Sequence, residues 1–203
     1  MDKSLRKGAV VVFGCLLFLN TAHLLAARAQ SAQGDVVDEM NFARQQPGAY
    51  AQSLIGDAKA LRIAAAQDDD AGAFDEAVVF LKRQPPLPPL RSDEALARAA
   101  LAHAEFQGPE GSIGHGGPND ESFDERLHRY GVWAGAMAEN ISYGFRDPRE
   151  VVRQLIVDSG VPDRGHRENI FNPEFRVAGA ACAPHKVYGS MCVIDFIDAP
   201  LRR

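Results

Sequence analysis

The sequence predicts an α+β domain, and three observations carry that expectation. Apolar residues recur at helical spacing in several segments across the first three quarters of the chain, most of them with a recognisable start or stop. Two runs of strand character, residues 176–182 and 191–197, close it. The turn residues between those runs suit a hairpin. With 203 residues, 46% hydrophobic and 24% charged, the chain suits one globular domain rather than two. A formal charge of -5 argues against nucleic acid or an anionic membrane as the main partner, since both call for a basic surface.

Residues 1–29 read as a secretory signal. Lys3, Arg6 and Lys7 precede an apolar run from Ala9 to about Leu19, and Ala27-Arg28-Ala29 offers a cleavage site, so the mature chain is expected to begin near Gln30. An anchor needs about 20 unbroken apolar residues, and Asn20, Thr21 and His23 interrupt this run. Too few apolar residues precede Cys15 for a lipoprotein signal. Membrane contact is therefore expected only through the signal peptide, and the mature protein is expected to be secreted or periplasmic.

Residues 35–46 place Val36, Val37, Met40 and Ala43 on one helical face, with Pro47-Gly48 as the stop. A short helical turn follows through Tyr50 and Leu54. Residues 56–73, rich in Ala and Asp, read as an insertion or a peripheral hairpin ahead of an apolar helix over 74–81. Pro85-Pro86-Leu87-Pro88-Pro89 then imposes an extended path, because each proline fixes its own φ and disfavours helix in its predecessor. Ser92 is the expected N-cap of a helix running to Gln107, with Asp93 and Glu94 complementing its dipole. His103 on that helix reads as a packed histidine rather than a ligand.

Residues 108–119 are rich in glycine and proline, must be loop, and carry His115; an exposed loop is where functional side chains concentrate. After a helix over 123–130, Asp147-Pro148-Arg149-Glu150 supplies an N-cap, a first-turn proline and a capping-box glutamate. The helix it starts places Val151, Leu155 and Asp158 at i, i+4 and i+7, so the Asp158 carboxylate rides the apolar stripe. His166, between Gly160-Val161-Pro162 and Asn172-Pro173, is expected to be held by turn structure.

Loss of Cys15 with the signal leaves Cys182 and Cys192, an even pair in an oxidising compartment, and a disulfide pinning the hairpin around Pro184-His185 and Tyr188-Gly189-Ser190 is the expectation. Zinc ligation by the pair lacks a C-x-x-C spacing. His115 and His166, with Glu139 between them in sequence, can build a metal site or an acid/base pair, and spacing alone leaves both open beside ordinary hydrogen-bonding histidines. Ser159 has no G-x-S-x-G elbow around it. The runs 68–70 and 120–121 lack EF-hand spacing and read as solvated acidic faces.

Gly114-His115, Asp124-Glu125-Arg126-Leu127, Tyr130-Gly131, Ala138-Glu139-Asn140-Ile141 and Gly165-His166-Arg167-Glu168-Asn169-Ile170, in that order, resemble the core motifs of the CAP superfamily of cysteine-rich secretory proteins, antigen 5 and pathogenesis-related proteins. Val177-Ala178-Gly179 and Val193-Ile194-Asp195-Phe196 are similar to its final strands, and the chain looks like the bacterial SCP-domain branch. The resemblance covers residues 36–196, with 56–81 outside it. Residues 30–90 then supply N-terminal helices, a variable insertion and the Pro-rich segment, and 91–198 the domain core.

What the resemblance implies is a three-layer α-β-α sandwich with a central, mostly antiparallel sheet and a cleft of two histidines and two acids. Matched residue by residue, these are His115, Glu139, Asp158 and His166, with Asp158 standing where glutamate is usual. Ala138 replaces a usual glycine, and Gly116 stands where serine or threonine is common. The resemblance implies a divalent cation, zinc or another, at His115 and His166, and a sterol, lipid or extracytoplasmic protein as ligand. No activity is common to the family, so the cleft is read as a binding site before a catalyst. A metal-dependent hydrolase acting on peptide, ester or cell-wall material, with Glu139 or Asp158 as base, is the alternative.

Overall fold

In the computed structural model of the protein, residues 36–59 and 70–199 are described. The expected signal segment, its Cys15 and most of the Ala- and Asp-rich insertion lie outside them. Helix α1 (residues 36–45) buries Val36, Val37, Met40 and Ala43, the face read from their spacing. The helix stops ahead of Pro47 as expected, with Gln46 out of helical conformation. Pro47 also starts the next one, α2 (Pro47–Gly56), where a first-turn residue needs no N–H and the fixed proline φ suits the helix. Helix α3 (Ala73–Arg83) carries Asp75 and Glu76 in its first turn and Lys82 and Arg83 in its last, each complementing the dipole.

The extended proline stretch leads into β1 (Arg91–Ser92), and here the expected cap is corrected. Ser92 is a strand residue opposite Ala178. The N-cap of α4 (Glu94–Gln107) is Asp93, whose carboxylate accepts from the backbone N–H groups of Ala95 and Leu96. A 3-10 turn at Pro118–Asp120 ends the His115 loop, and α5 (Phe123–Arg129) follows. Its Glu125 accepts from both the backbone N–H and the hydroxyl of Ser122, an N-terminal latch absent from the sequence reading.

Strand β2 (Met137–Tyr143) precedes α6 (Pro148–Val157), capped by Asp147 as expected. Glu150 does not close a capping box but faces Arg153 at 3.4 Å. His166 lies on a helix, α7 (Gly165–Phe171), and not in turn structure. Strands β3 (Val177–His185) and β4 (Gly189–Ile197) complete the sheet. The hairpin turn is shorter than expected, since Pro184 and His185 continue β3 opposite Ser190 and Gly189. Proline is tolerated there because β1 pairs with β3 only at Val177 and Ala178, so at Pro184 the outer side of β3 needs no ladder N–H.

The sheet order is β1-β3-β4-β2, parallel only at β1. Alternation along β4 divides the core. Cys192, Ile194 and Phe196 face α1, α2, α3, α6 and α7, while Met191, Val193 and Ile197 face α4 and α5. The three-layer α-β-α arrangement follows directly, and it leaves β2 as an edge strand with a helical layer on each side.

Two packing constraints are testable. At Gly179 a side-chain Cβ would lie 2.3 Å from the Ala97 backbone nitrogen and 2.4 Å from Leu96 Cβ, so α4 rests directly on the β3 backbone. Gly179→Ala is expected to lower unfolding free energy by about 1–3 kcal/mol in urea titrations. Cys182 and Cys192 are bonded across directly opposed positions of β3 and β4, with Cα atoms 4.0 Å apart. Their joint replacement by alanine is expected to cost about 2–3 kcal/mol, the loop-closure entropy of a short ring, measured the same way.

Candidate functional site

The site is built on β2, where consecutive residues point to opposite faces of the sheet. Glu139 faces the α4 layer and Asn140 the α6–α7 layer, and each holds one histidine in place. On the α4 side, the His115 imidazole meets Glu139 through Nδ1 at 2.7 Å. The other Glu139 oxygen accepts from the Arg126 guanidinium, itself buried. On the other side, the Asn140 amide donates to the His166 carbonyl at 2.9 Å, and its oxygen accepts from Asn169.

The loop bearing His115 is tied down at successive residues. Tyr143 accepts from the Gly114 N–H at 3.0 Å, His103 Nε2 donates to the Gly114 carbonyl at 2.9 Å, and Gln107 donates to the Gly116 carbonyl at 3.0 Å. Arg126 adds a bond to the His115 carbonyl at 3.2 Å. Gly114 takes φ 100°, a region only glycine occupies freely. Arg126 also points its guanidinium at His103 Nδ1, 3.2 Å away, which makes that nitrogen the acceptor and fixes the proton on Nε2. His103 is thus the packed histidine expected from the sequence, and it works as a tether.

Asp158 closes the second half. It ends α6 in the left-handed conformation, φ 56°, which turns its carboxylate back toward α7. One oxygen meets His166 Nδ1 at 2.7 Å, and the other accepts from the backbone N–H groups of His166 at 3.0 Å and Arg167 at 3.2 Å. Those N–H groups belong to the first turn of α7 and have no partner inside the helix. A residue one segment away therefore caps α7 and orients its histidine at once. Arg164 and Arg167 brace the connection through the carbonyls of Asp158, Val161, Ile156 and Val157 and through Asp70 and Glu76. Asp70, expected on a solvated face, is a partner of Arg164, and Glu121 of Arg129.

His115, Tyr143, Leu155, Asp158 and His166 line one cavity of about 270 Å³. The two carboxylates are 2% exposed, while the imidazoles are 57% and 26% exposed. Each histidine has Nδ1 committed to a buried acid, which leaves Nε2 as its uncommitted nitrogen. The structure thus brings all four expected residues to one place, with the acids behind the histidines. Among the described residues, no group of three or more His, Cys, Asp or Glu side chains converges as a ready-made metal cage. Sequence reasoning gave no role to Arg126, Gln107, Asn140 or Tyr143. Arg126 and Asn140 lay inside quoted motifs, yet helical or strand spacing alone does not reveal a buried cation or amide.

The family model described as Cysteine-rich secretory protein family matches residues 37–196. Protein YkwD of Bacillus subtilis strain 168 is 30% identical over 111 residues, 53% of this chain and 41% of the relative, so the chain spans less than half of that protein's length. Among solved structures, an extracellular protein containing an SCP domain from Bacillus anthracis aligns with a TM-score of 0.46 at 24% identity, over 66% of this chain and 40% of that one. An outer surface protein from Borrelia burgdorferi aligns with a TM-score of 0.46 at 22% identity, over 54% and 77%.

Burial, ahead of every other influence, holds His103 below its ordinary value of 6.5. The unfolded chain therefore takes up this proton first on acidification. The stability that neutral His103 contributes is complete above about pH 6.5 and is lost as pH falls through the folded value. Thermal unfolding between pH 8 and pH 5 should show a steeper loss for the wild type than for His103→Gln; equal slopes would remove His103 from the pH response.

Proposed function

This chain belongs to the cysteine-rich secretory protein family, and from that membership we propose an exported domain whose His115/His166 cleft holds a divalent cation, zinc first, and binds a lipid, sterol or extracytoplasmic protein. The Cys182–Cys192 disulfide supports export, because such a bond persists in an oxidising compartment. No helix of the described residues is long and apolar enough to cross a membrane.

The observation that carries the metal reading is the shared wiring of the two imidazoles. Each Nδ1 is held by a buried carboxylate at 2.7 Å, and both rings line the same cavity. A carboxylate on the far ring nitrogen fixes the tautomer and raises the basicity of the other nitrogen, the arrangement found behind metal-ligating histidines. The residues present therefore fit a two-imidazole site that leaves positions for water or a ligand. Bound there, a divalent cation supplies Lewis acidity. His115 and His166 would bind it, Glu139 and Asp158 would orient them, and Tyr143 and Gln107 would keep the loop in place.

The cavity size, about 270 Å³, falls just below the range of sites for drug-sized ligands, about 300–1,000 Å³. It suits a head group or one protein side chain better than a whole sterol. The hydrolytic alternative with Glu139 or Asp158 as base draws less support, because both acids are buried and already bonded to their histidines.

Zinc titration by calorimetry on metal-stripped protein tests the reading. The wild type is expected to bind one ion, and His115→Ala/His166→Ala to lose at least a hundredfold in affinity while keeping its fold. A wild type that takes up no zinc, cobalt or manganese would sink the metal assignment. Organic extraction of natively purified protein tests the lipid ligand separately, and an empty extract would favour a protein partner.

A further inference from the structure

Asp195 stands where the pattern of β4 calls for an apolar residue. Met191, Val193 and Ile197 share its face of the sheet and are core residues beneath α4. Asp195 itself is fully buried, opposite Glu139 on β2 and Gly179 on β3. Over Gly179 the α4 backbone comes so close that no Cβ would fit, and the helix seals this part of the sheet from water.

The charges around Asp195 do not balance if it is ionised. Facing it are Glu139 from β2 and Arg126 from α5, with His103 of α4 next in line. The Arg126 terminal nitrogens already serve Glu139, His103 and the His115 carbonyl. Neither Asp195 oxygen meets a donor. Two carboxylates beside one shared guanidinium, sealed from water, would leave one charge buried and unpaired, which is costly. Two carboxyl groups can bond to one another only when one carries a proton, and a protonated acid brings its own donor. Burial first, and then the charge of Glu139, its directly opposed neighbour on β2, pushes the Asp195 carboxyl well above the ordinary aspartate range.

We propose that Asp195 is a positioning residue of the cleft: it stays protonated, donates its O–H to Glu139, and thereby fixes the carboxylate that orients His115. Glu139 then receives three donors, the His115 ring, Arg126 and Asp195, and cannot rotate without breaking one. The proposal deepens the reading of the cleft as a pair of carboxylate-held histidines and rests on it. It acts through Glu139 alone, since Asp195 does not touch an imidazole.

The sign of the pH effect follows. A group whose folded-state value is raised contributes stability that is complete at low pH, below the unfolded aspartate value, and that is lost as pH rises toward the folded value. An asparagine at 195 donates the same bond, carries no charge and has no such loss.

The test uses metal-free protein, so its result is independent of zinc binding. Asp195→Asn and Asp195→Leu are compared with the wild type by nitrogen-15 NMR of the His115 ring and by thermal unfolding from pH 4 to pH 8. In the wild type and Asp195→Asn, His115 is expected as a single Nδ1–H tautomer; in Asp195→Leu, as a mixture. The melting temperature of Asp195→Asn relative to the wild type is expected to climb as pH rises. If Asp195→Asn instead loses the tautomer and falls further behind the wild type with rising pH, the charge of Asp195 is what the fold uses, and the proposal is wrong. It is equally wrong if Asp195→Leu keeps the single tautomer. Should the leucine variant not fold, the direction of the asparagine pH profile still decides. A wild type without the Nδ1–H tautomer would overturn the His115–Glu139 pairing itself, a different failure from an absence of zinc binding.

Discussion

The cleft depends on β2 being an edge strand with a helical layer on each side. A central strand would have its neighbours' side chains filling both faces along its whole length. At the edge, the two faces open toward the same rim, so a residue pointing up and its neighbour pointing down can serve one site. Glu139 and Asn140 do this: one fixes a histidine on the α4–α5 side, the other a histidine on the α6–α7 side. The two halves have no sequence continuity, and a shared strand sets their spacing. The disulfide and the long β3–β4 ladder behind β2 give that strand a rigid base.

Around this frame several buried arginines serve backbone carbonyl groups. Arg44 of α1 is fully buried and donates to the carbonyls of Pro88, Ile170, Asn172 and Phe175, joining the first helix to the proline stretch and to the end of α7. Burial, with Arg176 adding to it, brings its pKa down to about 10. Arg167 does the same for the end of α6, and Asn41 binds both backbone groups of Leu90. A planar cation with several donors can satisfy irregular backbone that no helix or strand would pair. The loops that carry the site can therefore be buried at their bases while His115 and His166 remain accessible.

Much of the fold was legible in the sequence because it rests on local periodicity. The buried face of α1, the Asp147 start of α6 and the paired cysteines are all local signals. The misreadings share a cause in tertiary contact. Ser92 is a good cap residue that a strand partner claims first, passing the cap to Asp93. His166 looked like a turn residue because Gly160, Pro162 and Gly165 crowd its approach, and the cap that rescues α7 comes from Asp158 beyond that turn. The four residues of the site were readable through the ordered motifs, but their supporting shell was not, since an arginine or glutamine on a helix reads as solvent-facing until something covers it.

Asp195 marks the limit of such reading from the other direction. In Val193-Ile194-Asp195-Phe196 the acid interrupts an apolar run, and strand parity alone puts it on the face shared with Val193, hence inside. The same parity across β4 and β2 pairs it with Glu139. A buried acid opposite another acid contradicts every rule of core composition unless one of them is neutral or both serve a cation. With Arg126 already engaged by Glu139 and by the loop, neutrality is the consistent solution. The conflict between a local pattern that demands an apolar side chain and a position that holds an acid therefore falls at the point where the sheet supports the cleft.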